Sequence, residues 1–200
     1  MKFLILLTLI ACASSPSETP VKDAEVILAP VVYAPSVMSF GVVIKDTNYL
    51  PSQKAKLAEA IKHLEDIFNS QEYKAELLKR KLTSTNGRSN LEVFNHIMTG
   101  KEDLSKTANQ QMDLTVEMYN KKFSKVIGYT TPSSLIVYTN RKFHDNYKAC
   151  DVASNLGHEW THKMGYGHKS ASDWTSVPYQ HSTLIRILCP LSVQGKLNRR

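Results

Sequence analysis

The sequence predicts an α+β domain in which helices pack on one mainly β layer. Two kinds of pattern carry this prediction. Runs of β-branched apolar residues, broken by Pro and Gly, favour strands, and apolar residues at three- and four-residue steps favour helices. The chain has 200 residues, of which 42% are hydrophobic and 22% charged, as expected for one globular domain with a sizeable core.

The first half contains two predicted strands and one predicted helix. The strands are "EVILAPVVYAP" (25–35) and "SFGVVIKD" (39–46), and the helix is "PSQKAKLAEAIKHLEDIFNS" (51–70), which Ser52 can cap. The helix has an apolar face at helical spacing, formed by Leu57, Ile61, Leu64 and Phe68. "TSTNGRSN" (83–90) is rich in turn formers and predicts a loop.

The second half is predicted to contain a hairpin, a helix and an irregular tail. "NQQMDLTVEMYNKKF" (109–123) is open between helix and strand, and a helix face fits better, through Met112, Val116, Tyr119 and Phe123. "KVIGYTTPSSLIVYTN" (125–140) predicts two strands around a turn, and a helix follows from about Asp151 to Met164. Residues 165–200 are expected to be loop-like.

The N-terminus predicts export. "MKFLILLTLIAC" combines one lysine, a short apolar run and small residues, which is typical of a secretory signal peptide over 1–11. Its end, Leu9 to Cys12, resembles the lipobox of bacterial lipoproteins. The resemblance implies a lipid on Cys12 and a protein anchored to a membrane of the bacterial cell envelope, facing the periplasm or the cell surface. An ordinary cleaved signal with a chance Cys is the alternative. Residues 12–23 are polar and Pro-containing, as in a flexible tether.

The remaining cysteines and the charge limit the other possibilities. Cys150 and Cys189 form an even pair in an exported chain, so we expect a disulfide, with two buried free thiols as the alternative. The formal net charge is +7, but the basic residues are scattered and form no aromatic-interleaved patch. Nucleic acid is therefore not an expected partner.

One stretch carries the chemistry, "HEWTHKMGYGH" at 158–168. On a helix, His158 and His162 are one turn apart and lie opposite an apolar stripe, formed by Ala153, Leu156, Trp160 and Met164. Gly165 can end the helix and let the chain bring His168 to the same ion. Three imidazoles leave a fourth position open, as in catalytic zinc sites, and Glu159 can take a proton from a water held there.

These eleven residues resemble the H-E-x-x-H-x-x-G-x-x-H motif of the metzincin zinc metalloendopeptidases. The resemblance implies a zincin-like domain, here 24–200, with a twisted sheet, two main helices and a short irregular C-terminal subdomain. It implies one catalytic Zn²⁺ bound by His158, His162 and His168, with Glu159 as general base and polypeptides as substrates. An edge strand beside the zinc helix would pair with substrate, and the candidates are Val126, Ile127, Gly128 and Tyr129.

The chain departs from this family downstream of the third histidine. The residue after the third histidine is Lys169, which does not match the residue at that position in the metzincin families known to us. No Met follows Met164, so none is present to form the Met-turn. "SVPY" (176–179) is the nearest candidate. Val177 stands where the family has the Met, and Tyr179 stands where some members have a Tyr that can donate a hydrogen bond to the oxyanion. A buried Tyr in an irregular loop is an equally good interpretation.

Two other functions remain open on the sequence. The chain could be a zinc-binding surface module without catalysis, or a zinc hydrolase of a cell-wall amide. Among the other histidines, His144 and His181 are less favoured alternative ligands, and His144 is expected on a solvated loop. His63 and His96 lack metal-ligand spacing, and Trp160 and Met164 are expected to pack in the core.

Overall fold

The computed structural model describes residues 37–44, 49–104, 107–131 and 133–200, which belong to one compact unit. The predicted signal peptide, Cys12, the tether and the predicted strand at 25–35 lie outside the described residues. The elements in chain order are β1 (Ser39–Ile44), α1 (Pro51–Phe68), α2 (Gln71–Leu78), α3 (Asn90–Met98), β2 (Gln111–Tyr119), β3 (Gly128–Thr130), β4 (Ile136–Asn140), α4 (Arg141–Asn146), α5 (Ala149–Lys163) and α6 (Val177–Val193).

The predicted α+β class is confirmed by a four-stranded mixed sheet with helices. The strand order is β1-β2-β4-β3, and β1, β2 and β4 are parallel while β3 runs antiparallel to β4. β3 is thus an edge strand, and it lies beside α5. The β3–β4 pair is the hairpin predicted from 125–140.

The preference for a helix at 109–123 is wrong, because this segment forms β2. Every second residue of β2 points into the core, and these residues are Met112, Leu114, Val116 and Met118. A helix face would have needed Phe123 buried, whereas its side chain is 91% exposed. Pairing on both sides, with β1 and β4, stabilises the strand in a way that local periodicity does not reveal.

α1 is confirmed, with a different N-cap. The cap is Leu50, whose backbone N–H is held by the Gln53 side chain at 2.8 Å, and not Ser52. Pro51 at the first helical position needs no N–H partner there. Leu57, Leu64 and Phe68 are fully buried and Ile61 is partly buried against the core.

The expectation of an irregular tail is also wrong, because residues 177–193 form the long helix α6. Its buried face has helical spacing and consists of Val177, His181, Leu184, Ile185, Leu188 and Cys189. Pro178 is tolerated in the first turn, where a backbone N–H is not needed. α6 packs closely on α5 at Gly157, because a Cβ there would overlap the Ile185 side chain. The domain therefore has a third long helix rather than two.

The covalent frame agrees with the sequence, since Cys150 and Cys189 form a disulfide. It ties the first turn of α5 to the last part of α6 across 39 residues of chain. None of the helices in the described ranges is long and apolar enough to cross a membrane.

We expect replacement of both cysteines by Ala to lower the free energy of unfolding by about 3 to 4 kcal/mol, because the bond restricts the unfolded chain. Denaturant unfolding of the variant and the oxidised wild type measures the loss. Reduced wild type is the matched control and should lose a similar amount. An unchanged midpoint in both would contradict the stabilising role.

His144 is buried in α4 and not on a solvated loop, so that expectation is wrong. Its side chain is 3% exposed, its ring packs edge-on against Tyr49, and neither ring nitrogen has a hydrogen-bond partner among the described residues. Burial, and secondarily the charge of Lys56, lowers its pKa from 6.5 to about 4, although Asp145 opposes the shift.

We expect His144 to make the fold acid-sensitive. The unfolded chain binds this proton and the native protein does not, so the stabilisation is complete above the unfolded pKa and is lost as pH falls from about 6.5 toward 4. From the two pKa values, about 2 kcal/mol is lost by about pH 5. His144→Phe should flatten this part of the curve of unfolding free energy against pH, and an identical slope in the variant would contradict the assignment.

Candidate metal centre

α5 presents an apolar face to the core and two imidazoles to a groove. Ala153, Leu156, Trp160 and Met164 are buried as predicted, and Trp160 Nε1 donates to Glu102 Oε1 at 2.8 Å. His158 and His162 are half-buried on the other side of the helix.

Gly165 turns the chain after α5, as the sequence predicts. Its φ is +80°, in the left-handed region, and a Cβ at this position would meet the Asp103 carboxylate. Asn86 donates a side-chain hydrogen bond to the Gly165 carbonyl oxygen at 3.0 Å. The chain then reverses and places His168 against the α5 histidines.

The three imidazoles converge on one point. The Nε2 atoms of His158 and His168 are 3.3 Å apart, and one ring nitrogen from each of His158, His162 and His168 lies within 4.8 Å of the others. A tetrahedral ion with metal–nitrogen bonds of about 2.0–2.1 Å separates its ligand nitrogens by about 3.3 to 3.4 Å. The His158–His168 separation matches this spacing, so the donor set fits a small ion such as Zn²⁺.

The opposite nitrogen of each ring is held by an oxygen atom. Nδ1 of His162 is 2.7 Å from the Tyr166 carbonyl oxygen, and Nδ1 of His168 is 2.7 Å from Ser176 Oγ. His158 is hydrogen-bonded to the Pro178 carbonyl oxygen. Such partners fix the ring orientation, and the two carbonyl oxygens, which can only accept, favour the tautomers of His158 and His162 whose other ring nitrogen is free to bind an ion.

The three histidines are held in the neutral form that binds metals. Burial lowers the pKa of His158 to about 3, with contributions from His162 and His168. Burial also lowers the pKa values of His162 and His168. Neutral imidazoles need not lose a proton before they accept an ion at neutral pH.

Glu159 lies in the groove next to His158 and is only 7% exposed. Burial raises the pKa of its carboxyl group to about 7, although Lys163 one turn later opposes this. Lys163 itself donates to the carbonyl oxygens of Thr131 and Ser134 in the β3–β4 loop. The carboxylate is therefore more basic than an ordinary glutamate, and it lines the same groove as His158.

"SVPY" is the N-cap and first turn of α6 rather than an irregular turn. Val177 is fully buried, and the Tyr179 ring stacks on His168 with centroids 4.4 Å apart and meets His158 edge-on at 4.9 Å. The Tyr179 hydroxyl donates to the Ala171 carbonyl oxygen at 3.3 Å. The structure thus brings Tyr179 to the histidines.

A groove of about 410 Å³ runs along this site. Its walls come from α5, α6 and the chain that leads into β3, and among its lining residues are Val126, Ile127, Gly128, Glu159 and Tyr179. Only Gly128 and Tyr129 of the predicted substrate strand belong to β3, since Val126 and Ile127 precede it. Asn140 N donates a hydrogen bond to the Ile127 carbonyl oxygen. Hydrogen-bonded and non-hydrogen-bonded pairs alternate along antiparallel strands, so the backbone N–H and C=O groups of Gly128 and Thr130 face away from β4.

The other histidines are not members of the converging group. His181 is buried in α6, where Nδ1 is 2.9 Å from the Tyr73 hydroxyl, and His63 Nδ1 is 2.8 Å from Ser192 Oγ. His63 also lies near Cys150 and Cys189, but their sulfurs are joined in the disulfide and are not thiolate ligands.

The sequence did not indicate the oxygen atoms that orient the rings. Ser176 and the carbonyl groups of Tyr166 and Pro178 have no motif, because their role depends on where the chain returns after Gly165. If α6 were predictable from the sequence, Ser176 would be a candidate for its N-cap. In comparisons with protein-family models, with curated proteins and with solved structures, nothing matches this chain.

Proposed function

We propose that this protein is a zinc-dependent endopeptidase with a zincin-like fold, exported and held at the cell envelope by a lipid on Cys12. The single observation that carries the activity is the convergence of the His158, His162 and His168 nitrogens, with the buried Glu159 sharing a groove with His158. The antiparallel edge strand next to the histidine helix and the left-handed Gly165 support the metzincin-like arrangement.

Each residue has a distinct role in this proposal. A bound zinc ion would polarise the scissile carbonyl and lower the pKa of a coordinated water. Glu159 accepts a proton from the attacking water and transfers it to the leaving amine, and its raised pKa makes it a strong enough base. Lys163 stands one turn away and favours the ionised form of Glu159.

A polypeptide substrate is favoured by the open edge of β3. The outward backbone groups of Gly128 and Thr130 can bond to an extended peptide, which would then pass over Glu159. Gly128 has no side chain to obstruct this edge, and its backbone lies against Asn155 of α5. A cell-wall amide in a compact, non-extended molecule would not form these backbone hydrogen bonds with the edge of β3.

We expect Tyr179→Phe to lower kcat by about ten- to a thousandfold, as for the loss of one oxyanion donor, with KM and zinc content nearly unchanged. For this, the hydroxyl must leave the Ala171 carbonyl oxygen when substrate binds. Steady-state kinetics and elemental analysis measure both effects. Tyr129→Phe removes a phenol hydroxyl from the edge strand and keeps its backbone, so it is the matched control and should retain kcat. Full kcat in Tyr179→Phe would show that the hydroxyl has no catalytic role and that Tyr179 only packs against the rings of His158 and His168.

The proposal is tested by elemental analysis and a peptide-library digest of the mature chain. We expect one zinc ion per chain and cleavage that stops on chelation and returns when zinc is added. Zinc without cleavage of any peptide would favour the non-catalytic surface module. Cleavage of cell-wall amides but not of peptides would favour the other hydrolase.

A further inference from the structure

The groove is lined by two basic side chains. Apart from Glu159, the charged residues that line it are Lys125 and Arg186. We propose that these two side chains select an acidic residue of the substrate, about three positions from the scissile bond. This inference rests on the proposed peptidase function and adds a substrate class to it.

Contacts between α5 and α6 locate Arg186 relative to the site. Tyr179 meets His158, Ser182 Oγ is 2.7 Å from Ser154 Oγ, and Arg186 Nε is 3.9 Å from Asp151 Oδ1. Residue numbers rise along α6 as they fall along α5, so the helices are antiparallel. Arg186 therefore lies two turns of helix from the candidate metal centre.

This separation corresponds to a definite stretch of peptide. Seven residues of α-helix, from 158 back to 151 or from 179 to 186, span about 10 Å at about 1.5 Å per residue. An extended chain advances about 3.3 Å per residue, so the same distance holds about three substrate residues.

Lys125 reaches the same end of the groove from the strand side. β3 runs in the same direction as α5, because Gly128 lies against Asn155 and the Thr131 carbonyl oxygen accepts from Lys163. The chain before Gly128 therefore extends toward the Asp151 end of α5. Lys125, three residues before Gly128, lines the groove there.

The local charge balance favours an anionic side chain. Asp151 is the acidic group that meets Arg186, but the 3.9 Å separation is long for a hydrogen bond, and an Asp151 oxygen also accepts from Lys148 N. Arg186 is 54% exposed, so its guanidinium can turn toward a substrate carboxylate. One acidic and two basic groups leave a net positive end, in a chain of formal charge +7.

The test compares Glu with its neutral isostere Gln, scanned through each position of a peptide that the library digest has identified. We expect kcat/KM for Glu to exceed that for Gln roughly three- to tenfold at one position about three residues from the cleaved bond, and the ratio to fall as salt is added. Binding of the same peptides to the inactive Glu159→Gln variant, followed by fluorescence anisotropy, should show the same preference in Kd.

Arg186→Gln and Lys125→Gln should each bring the ratio of kcat/KM for the Glu and Gln peptides toward one. Lys196→Gln is the control, because it removes an equal charge from an exposed residue outside the groove lining and should leave the ratio unchanged. If Arg186→Gln misfolds, Lys125→Gln decides. Cleavage with equal rates for Glu and Gln at every position would overturn the subsite and leave the peptidase function standing. Failure to cleave or bind any peptide would overturn both.

Discussion

Glu159→Gln is expected to lower kcat by about two to four orders of magnitude, the usual contribution of a general base, and to leave zinc bound. Gln keeps the size and hydrogen-bonding capacity of the side chain, but it cannot accept the proton of the attacking water. The carboxylate is not one of the three converging groups, so its removal should not change the affinity for the ion. Steady-state kinetics on a cleaved peptide, with zinc measured on the same sample, test both statements.

A matched control is Glu102→Gln, the neutralisation of another buried carboxylate. Glu102 lies on the core side of α5, where Oε1 accepts from Trp160 Nε1 and from Asp113 N, and a Gln oxygen can accept the same bonds. This variant should retain kcat. If Glu159→Gln also retains kcat, Glu159 is not the general base, and the reaction at the three histidines does not depend on proton transfer by this carboxylate.

The candidate site could be predicted from the sequence because it is almost entirely local. His158 and His162 lie one turn apart on one α-helix, whose periodicity alone places them on one face, and Glu159 follows His158 directly in the sequence. Gly165 ends that helix for a backbone reason, its positive φ, and three more residues suffice to return His168. The same local logic correctly predicted α1 and the β3–β4 hairpin.

Other parts depend on contacts between distant segments. Met112, Val116 and Tyr119 also fit a helical period, and only pairing with β1 and β4 makes this segment a strand. Pro178 and Pro190 do not break α6, because the first lies in its opening turn and the second near its end.

The misjudged tail matters for the site itself. α6 contributes Tyr179 and the carbonyl group of Pro178, and its N-cap Ser176 holds His168. The disulfide fixes the far end of α6 to α5, and Gly157 allows the two helices to approach closely. The histidines are thus held from both sides, by α5 and by the start of α6, which an irregular tail would not achieve.

His158→Ala and His162→Ala are each expected to remove most of the zinc, because two remaining protein ligands seldom hold the ion. A ligand that binds only the native state stabilises it by about 4 kcal/mol at a thousandfold excess over Kd, so added zinc should raise the Tm of the wild type and not of these variants. Elemental analysis after dialysis and thermal melts with and without zinc measure the two effects. His63→Gln, a buried histidine on α1 hydrogen-bonded to Ser192, is the matched control and should keep both responses. If His158→Ala bound as much zinc as the wild type, the ion would lie elsewhere, and the convergence of the three nitrogens would be only a packing arrangement.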